Sequence, residues 1–322
     1  MKAGDVVEKK LDVLCVTLIN LNILAKPVDR HIFDRDATLV SDYNVVVGGD
    51  GTNQAVTLSR LGRHVGVCGS IGNDHFGQLA AQMLQENGIN IDHITTMPDA
   101  QTAICLVMIG EDGERNFIVK RGACDHFTLA DIDPILYDGA KILNIGSIFT
   151  FKKLFGDNLA ELLCQAQAHG MITTADAMYD SYQIGARKML PALAYLDYFL
   201  PSYDEAKYLT GKTDPDQMAD ALLGYGVKNV VIKLGAQGCL FKNGQTRLIR
   251  PAFASPVVDT TGAGDNFIAG FLHGILSEWD VEKCLTFASA TASISIGKIG
   301  ATGAVQSAQQ VLDWLKNKDI AL

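Results

Sequence analysis

Short apolar runs alternate with segments of helical period along most of the chain. Leu11 to Ile19 reads as a buried strand, Asn53 to Leu61 as a helix and Val65 to Gly69 as the next strand. Phe76, Leu79, Ala80, Met83 and Leu84 share one face of a helix predicted from Phe76 to Glu86, which Gly88 stops. The alternation resumes with strand Ile142 to Ile145, helix Asn158 to His169, strand Met171 to Thr174 and strand Tyr198 to Leu200. Strand Asn229 to Leu234 leads into a hairpin turning at Asn243-Gly244. Three helices close the chain, over Gly264 to Leu276, Val281 to Gly297 and Val305 to Lys316. Alternation of this kind predicts an α/β fold, doubly wound, with a mainly parallel central sheet covered on both faces.

Two stretches break the rhythm. Asn22 to Val47 and Thr102 to Arg121 lack helical period and read as extended β segments, the second with an Asp112-Gly113 turn. They are predicted to form a small β-sheet lid over the mouth of the main sheet. The expected organisation is an α/β core of residues 1–21, 48–100 and 124–322, with a lid of residues 22–47 and 101–123. A chain of 322 residues accommodates one large domain with such an appendage.

Composition narrows the function. The chain is 48% hydrophobic and 20% charged, which is ordinary for a globular protein. A net charge of −9, with no block of Lys and Arg, argues against nucleic-acid binding. Seven scattered cysteines, none in a Cys-x-x-Cys pair, suit neither zinc nor a disulfide framework, so the expected compartment is the reducing cytoplasm. Lys9-Lys10 before the apolar Leu11 to Leu24 resembles a signal peptide only superficially. Asp12, Asn20 and Asn22 interrupt it, no Ala-x-Ala follows, and it is too short to span a bilayer. No membrane association is expected.

The 31 glycines require each phosphate motif to be tested. Gly211-Lys212-Thr213 has Ala206 where a P-loop needs glycine. A dinucleotide fingerprint fails at Phe267 for Gly262-Ala263-Gly264, and at Gln54 for Gly49-Asp50-Gly51. The seven histidines show no ligand spacing. What remains is Asp259-Thr260-Thr261-Gly262-Ala263-Gly264-Asp265, opening an apolar-periodic helix. Small residues there expose backbone N–H groups that lack intrahelical partners, a pocket for an anion. Asp265 beside it is placed to accept a proton from an attacking hydroxyl, the division of labour that phosphoryl transfer needs. Read alone, Gly-x-Gly-Asp is an ordinary helix cap.

The full run, together with Gly48-Gly49-Asp50-Gly51-Thr52-Asn53-Gln54-Ala55, resembles the two signatures of the ribokinase (pfkB) family of carbohydrate kinases, in order and spacing, over nearly the whole chain. The resemblance implies an ATP-dependent kinase acting on a hydroxyl of a small sugar. Asp265 would be the base and the backbone of Gly262, Ala263 and Gly264 the anion hole. Asn20, Asn22, Gly48, Gly49 and Asn53 would bind the sugar. Ser202, Glu205, Lys233, Gly235, Gly238 and Ser289 would line the ATP site, with Glu205 positioning Mg2+ through water. Asp259, Thr261, Ser295, Lys298 and Gly300 resemble a monovalent-cation site for K+. Pairing of lids implies a homodimer. The sequence departs from the family at Ser202, which replaces an Asn, at Asn22, where many members have Asp, and at Ser289, where relatives often have Asn.

Plain readings compete at single residues. Asn53 could be an N-cap, Lys233 a solvated strand end, Glu205 a helix-start acid, and Arg115 and Lys120 either phosphate ligands or surface charges. A nucleoside kinase and a non-catalytic sugar or nucleotide sensor are the alternative functions.

Overall fold

Which strands lie in the interior is decided by burial on both faces. In the computed structural model, which describes residues 11–134, 136 and 139–322, β1 (Leu11–Val16) sends Val13 and Cys15 into one hydrophobic cluster and Leu14 and Val16 into another. β11 (Asn229–Lys233) divides the same way, Val231 against Val230 and Ile232. This period of two, apolar on both sides, is what a doubly covered strand requires.

The strands between and beside them are β4 (Val65–Gly72), β5 (Asn90–Met97), β8 (Ala140–Ile145), β9 (Ile172–Ala175) and β10 (Tyr198–Phe199). A hairpin of β12 (Cys239–Asn243) and β13 (Arg247–Arg250) completes a nine-stranded sheet ordered β13-β12-β11-β10-β9-β8-β1-β4-β5. All its pairings are parallel except β11–β12 and β12–β13. The first cluster packs beneath α3 (Asp157–Ala168), α4 (Ala186–Leu193), α5 (Tyr203–Thr210) and α6 (Pro215–Gly224). The second packs beneath α1 (Asp50–Arg60), α2 (His75–Glu86), α7 (Ala263–Leu276) and α8 (Val281–Ser295). The last helix, α9 (Ala308–Lys316), seals Leu61 and Phe287.

A second sheet of four strands, ordered β3-β2-β6-β7, is built from β2 (Asn20–Lys26), β3 (Asp42–Gly48), β6 (Ala103–Ile109) and β7 (Arg115–Lys120). Asn22, Val46, Cys105 and Val119 are in register across it, so alternation puts Asn20, Asn22, Arg115, Phe117 and Val119 on one face. Leu106 and Ile118 belong to the other.

The sequence reading differs from this fold in a few places. Strand β5 and helices α4, α5 and α6 were not anticipated. The second, extended stretch is a clean hairpin, but the first contains only β2 and β3, joined by a loop with a single 3-10 turn at Ile32–Asp34. α1 begins at Asp50, three residues ahead of the expected Asn53. The Asn243-Gly244 signal does mark the β12–β13 hairpin, with the side-chain oxygen of Asn243 accepting from the N–H groups of Gln245 and Thr246. Residues 1–10 of the expected core, including Lys9 and Lys10, lie outside the described residues. Among the described residues no helix is long and apolar enough to cross a membrane, and each of the seven cysteines is free.

Candidate active site

In a doubly wound sheet, ligands bind outside the carboxyl ends of the strands, where the strand order reverses. Here that point flanks β1, which has β4 on one side and β8 on the other. Asn20 follows β1, Asp176 follows β9, Ser202 follows β10 and Lys233 ends β11, so chemistry-bearing residues gather on one rim.

Two helices start over this rim. The N-cap of α1 is Gly49, at φ +115°, where a Cβ would lie 2.0 Å from the Leu18 carbonyl oxygen, so only glycine makes this turn. The side chain of Asn22 packs against Gly48 in the same way, 2.3 Å from where a Cβ would stand. Asn53 lies inside the first turn of α1, which removes the N-cap explanation for it. Its Nδ2 donates to Oδ2 of Asp265 at 2.9 Å, and Gln54 Nε2 donates to Oδ1 at 3.1 Å. Gln54 is itself oriented by Asn144, which donates to its Oε1 at 2.7 Å.

The N-cap of α7 is Gly262, in the left-handed region at φ +71° and pressed against Ala301. The N–H of Ala263 is occupied by the Thr260 carbonyl at 3.2 Å. The N–H groups of Gly264 and Asp265 fall in the first turn, which has no carbonyls of its own to satisfy them. Lys233 Nζ lies 3.3 Å from where a Cβ on Gly264 would stand, so the glycine admits an ammonium to this helix start. Lys233 is not a solvated strand end. It donates to both carboxylate oxygens of Asp176, at 2.8 and 2.7 Å, with the two side chains 12% and 7% exposed.

The electrostatics follow from burial and crowding. Burial pushes the Asp265 carboxyl up to about 8, with Asp50 adding to the rise and the amides of Asn53 and Gln54 opposing it. Asp50 is raised to about 6 by burial and by Glu205, against the pull of Lys233 and Arg121. Burial works against the Lys233 ammonium, but Asp176, Glu205 and Asp265 outweigh it and raise its pKa. A buried carboxylate of raised pKa beside a fixed cation and a helix N-terminus can take up a proton while an anion is held next to it.

The remaining expected residues divide. Ser202 and Glu205 form a capping box on α5, Ser202 N donating to Glu205 Oε2 at 2.6 Å. Gly235 and Gly238 bracket a 3-10 turn after β11, and Ser289 is buried in α8. At the expected cation site the Asp259 carboxylate is already engaged. Asp259 Oδ1 accepts from Thr261 N (2.8 Å), Thr261 Oγ1 (2.6 Å) and Arg115 Nη1 (2.7 Å), and Oδ2 accepts from Gly300 N (2.8 Å). The guanidinium already neutralises this carboxylate, the Ser295 hydroxyl donates to the Ala292 carbonyl, and Lys298 is exposed. The donor set therefore does not fit a resident K+. Arg115 is no plain surface charge, whereas Lys120 is exposed.

Sequence reasoning missed Asp176, Gln54 and the carboxyl of Asp50 as members of this cluster. For Asp176 a signal was present, an acid directly after the strand Ile172–Ala175. A cavity of about 1330 Å³ lies elsewhere, between the 27–39 loop and the tip of the β6–β7 hairpin, and contains none of these residues.

Known proteins resemble this chain over most of its length. The chain is 28% identical over 285 residues to a ribokinase of Haemophilus influenzae, covering 86% of this chain and 89% of that one. It is 29% identical over 287 residues to a probable fructokinase of Arabidopsis thaliana, covering 84% of each. A ribokinase structure from Thermotoga maritima superposes with a TM-score of 0.82 at 26% identity, covering 95% of this chain and all of the other, so the fold is ribokinase-like. Residues 10–308 match the pfkB family carbohydrate kinases, and the chain belongs to that family.

Proposed function

We propose that this sugar kinase transfers the γ-phosphoryl group of ATP to a primary hydroxyl, the least hindered kind, of a small sugar held between the two sheets.

 The observation that supports this reading best is the position of Asp265, between the amides of Asn53 and Gln54 on one side and the first-turn N–H groups of α7 with Lys233 on the other. The sugar hydroxyl gives its proton to the Asp265 carboxylate as its oxygen bonds to the γ-phosphorus. The bond from that phosphorus to the β,γ-bridging oxygen breaks, and ADP leaves with the electron pair. The N–H groups of Gly262 and Gly264 receive the charge on the moving phosphoryl group, and Lys233 neutralises it. Ala263 contributes spacing rather than a free donor.

Asn20, Asn22, Gly48, Gly49 and Asn53 form the sugar-binding side, and Ser202, Glu205, Gly235, Gly238 and Ser289 the nucleotide side. Among the described residues no three acidic, His or Cys side chains are close enough to cage a metal. That suits Mg2+ arriving on the ATP phosphates with its own waters, near Glu205, where it would offset phosphate charge. The small sheet (residues 22–47 and 101–123) serves as a lid that excludes water. On its other face Leu106 and Ile118 are exposed, and this face pairs with a second copy in a homodimer.

Ribose, fructose and ketodeoxy sugar acids, set against adenosine, inosine and cytidine with ADP release as the readout, test the assignment. ADP release with a sugar and not with nucleosides is expected. If no acceptor supports ADP release while ligands still raise the unfolding temperature, the protein is a sensor and not a kinase.

A further inference from the structure

The contact between Arg115 and Asp259 joins the small sheet to the turn that opens α7. Arg115 is the first residue of β7, on the face that also carries Asn22 and Val119, and its Nη1 lies 2.7 Å from Asp259 Oδ1. The two side chains are 23% and 11% exposed, so the pair is largely withdrawn from water. Asp259 in turn receives Thr261 N and Thr261 Oγ1 on one oxygen and Gly300 N on the other. The segment after Gly300 is fastened to the same helix start, because Asn266 Nδ2 donates to both the Gly262 and the Ala301 carbonyls. One carboxylate thus ties three pieces of chain around the anion-binding turn, and its charge is balanced from the small sheet.

We propose that Arg115 is a positioning residue that occupies the electrostatic place of a monovalent cation at Asp259, so that the turn is ordered by the small sheet and not by K+. This rests on the reading of the turn as the anion hole. A monovalent ion at Asp259 would stand beside the guanidinium, and the repulsion between them excludes the ion while Arg115 is in place. Removing the guanidinium leaves Asp259 as a carboxylate with three neutral donors and no counter-charge, the kind of position that attracts K+.

The test compares KCl with tetramethylammonium chloride at equal ionic strength, on the wild-type protein and on Arg115→Met and Arg115→Lys. Two readouts are taken, the unfolding temperature without nucleotide or sugar and the turnover with the best acceptor. For wild type, K+ is expected to change turnover by less than about twofold and to leave the unfolding temperature unmoved. Arg115→Met is expected to lose about tenfold or more in kcat with little change in KM, and to recover part of it in K+ but not in tetramethylammonium. Its unfolding temperature should rise with K+ alone. Arg115→Lys should remain within a few-fold of wild type and insensitive to K+.

Strong activation or thermal stabilisation of the wild type by K+ overturns the proposal. So does an Arg115→Met protein with normal kcat, or one that K+ neither stabilises nor reactivates. Should Arg115→Met fail to fold, the wild-type and Arg115→Lys measurements decide. The thermal arm needs no turnover, so a failure of the kinase assignment is distinguishable from a failure here.

Discussion

Asn53 and Asp265, 212 positions apart in sequence, meet through a 2.9 Å hydrogen bond between the first turns of α1 and α7. The bond joins the two glycine-bearing signatures into one site and sets the proton affinity of the carboxylate. Asn53 favours the ionised form, while burial and Asp50 favour the protonated one.

The first prediction concerns the pH at which activity begins. A base must be unprotonated, so kcat/KM is expected to rise with pH through an apparent pKa near the value of about 8 that burial and Asp50 give Asp265. Asp50→Asn removes a like charge and should move this limb to lower pH. Asn53→Ala removes a donor to the carboxylate and should move it upward by about one to two units. Because Asp50 and Asp265 titrate together, the limb belongs to the pair. A limb near pH 4 that ignores both substitutions contradicts this reading.

Stability should carry the same signature with the opposite consequence. Asp265 has a folded-state pKa raised above its unfolded value, so it contributes stability below the unfolded pKa and loses it as pH rises through about 8. Asp265→Asn, a fixed neutral stand-in, is therefore expected to unfold at a higher temperature than wild type at pH 9, by roughly 2–4 °C or more. The gap should narrow toward pH 5. Thermal unfolding across that range checks it, and a gap that widens on acidification would refute it.

Much of this architecture is legible in the sequence, for identifiable reasons. Strands buried on both faces, such as Asn229–Lys233, announce themselves as unbroken apolar runs. The glycines at positions 49 and 262 are needed at positive φ, and they mark the two turns that carry the site. Helix α4 was hidden because Pro191 lies inside it, whereas β10 was legible as the apolar run at Tyr198 although only two of its residues pair. What Asp176 and Arg115 pair with could not be read from local pattern. Their partners Lys233 and Asp259 lie 57 and 144 positions away, and only the sheet brings them together. A charged residue in an extended segment looks the same in sequence whether it faces water or a buried carboxylate.

Lys233 separates catalysis from folding. Lys233→Met is expected to lower kcat by about 10²–10³, the scale for loss of one stabilising group on a developing charge. It should also destabilise the fold, since Asp176 is left buried without its partner, a cost of about 3–5 kcal/mol. Adding Asp176→Asn should restore much of the unfolding temperature and none of the turnover. Recovery of both would reduce Lys233 to a structural residue.

Gly262 and Gly235 offer a matched pair. Both have positive φ, but a Cβ on Gly262 would stand 2.5 Å from the Ala301 Cβ, whereas nothing lies within 4 Å of one on Gly235. Gly262→Ala is expected to destabilise by more than the ~1–2 kcal/mol that a left-handed backbone alone costs, and to impair turnover. Gly235→Ala should show the backbone cost only. Chemical denaturation of the two variants distinguishes them, and equal losses would argue against close packing at the α7 turn.

The central claim is that Asp265 takes the proton from the acceptor hydroxyl, and the turnover of Asp265→Asn measures it most directly. With the acceptor identified by ADP release, kcat is expected to fall by about 10²–10⁴, the range for a general base, while ATP still raises the unfolding temperature of the variant as it does for wild type. An Asp265→Asn protein that binds ATP and turns over at a rate close to wild type would contradict the account.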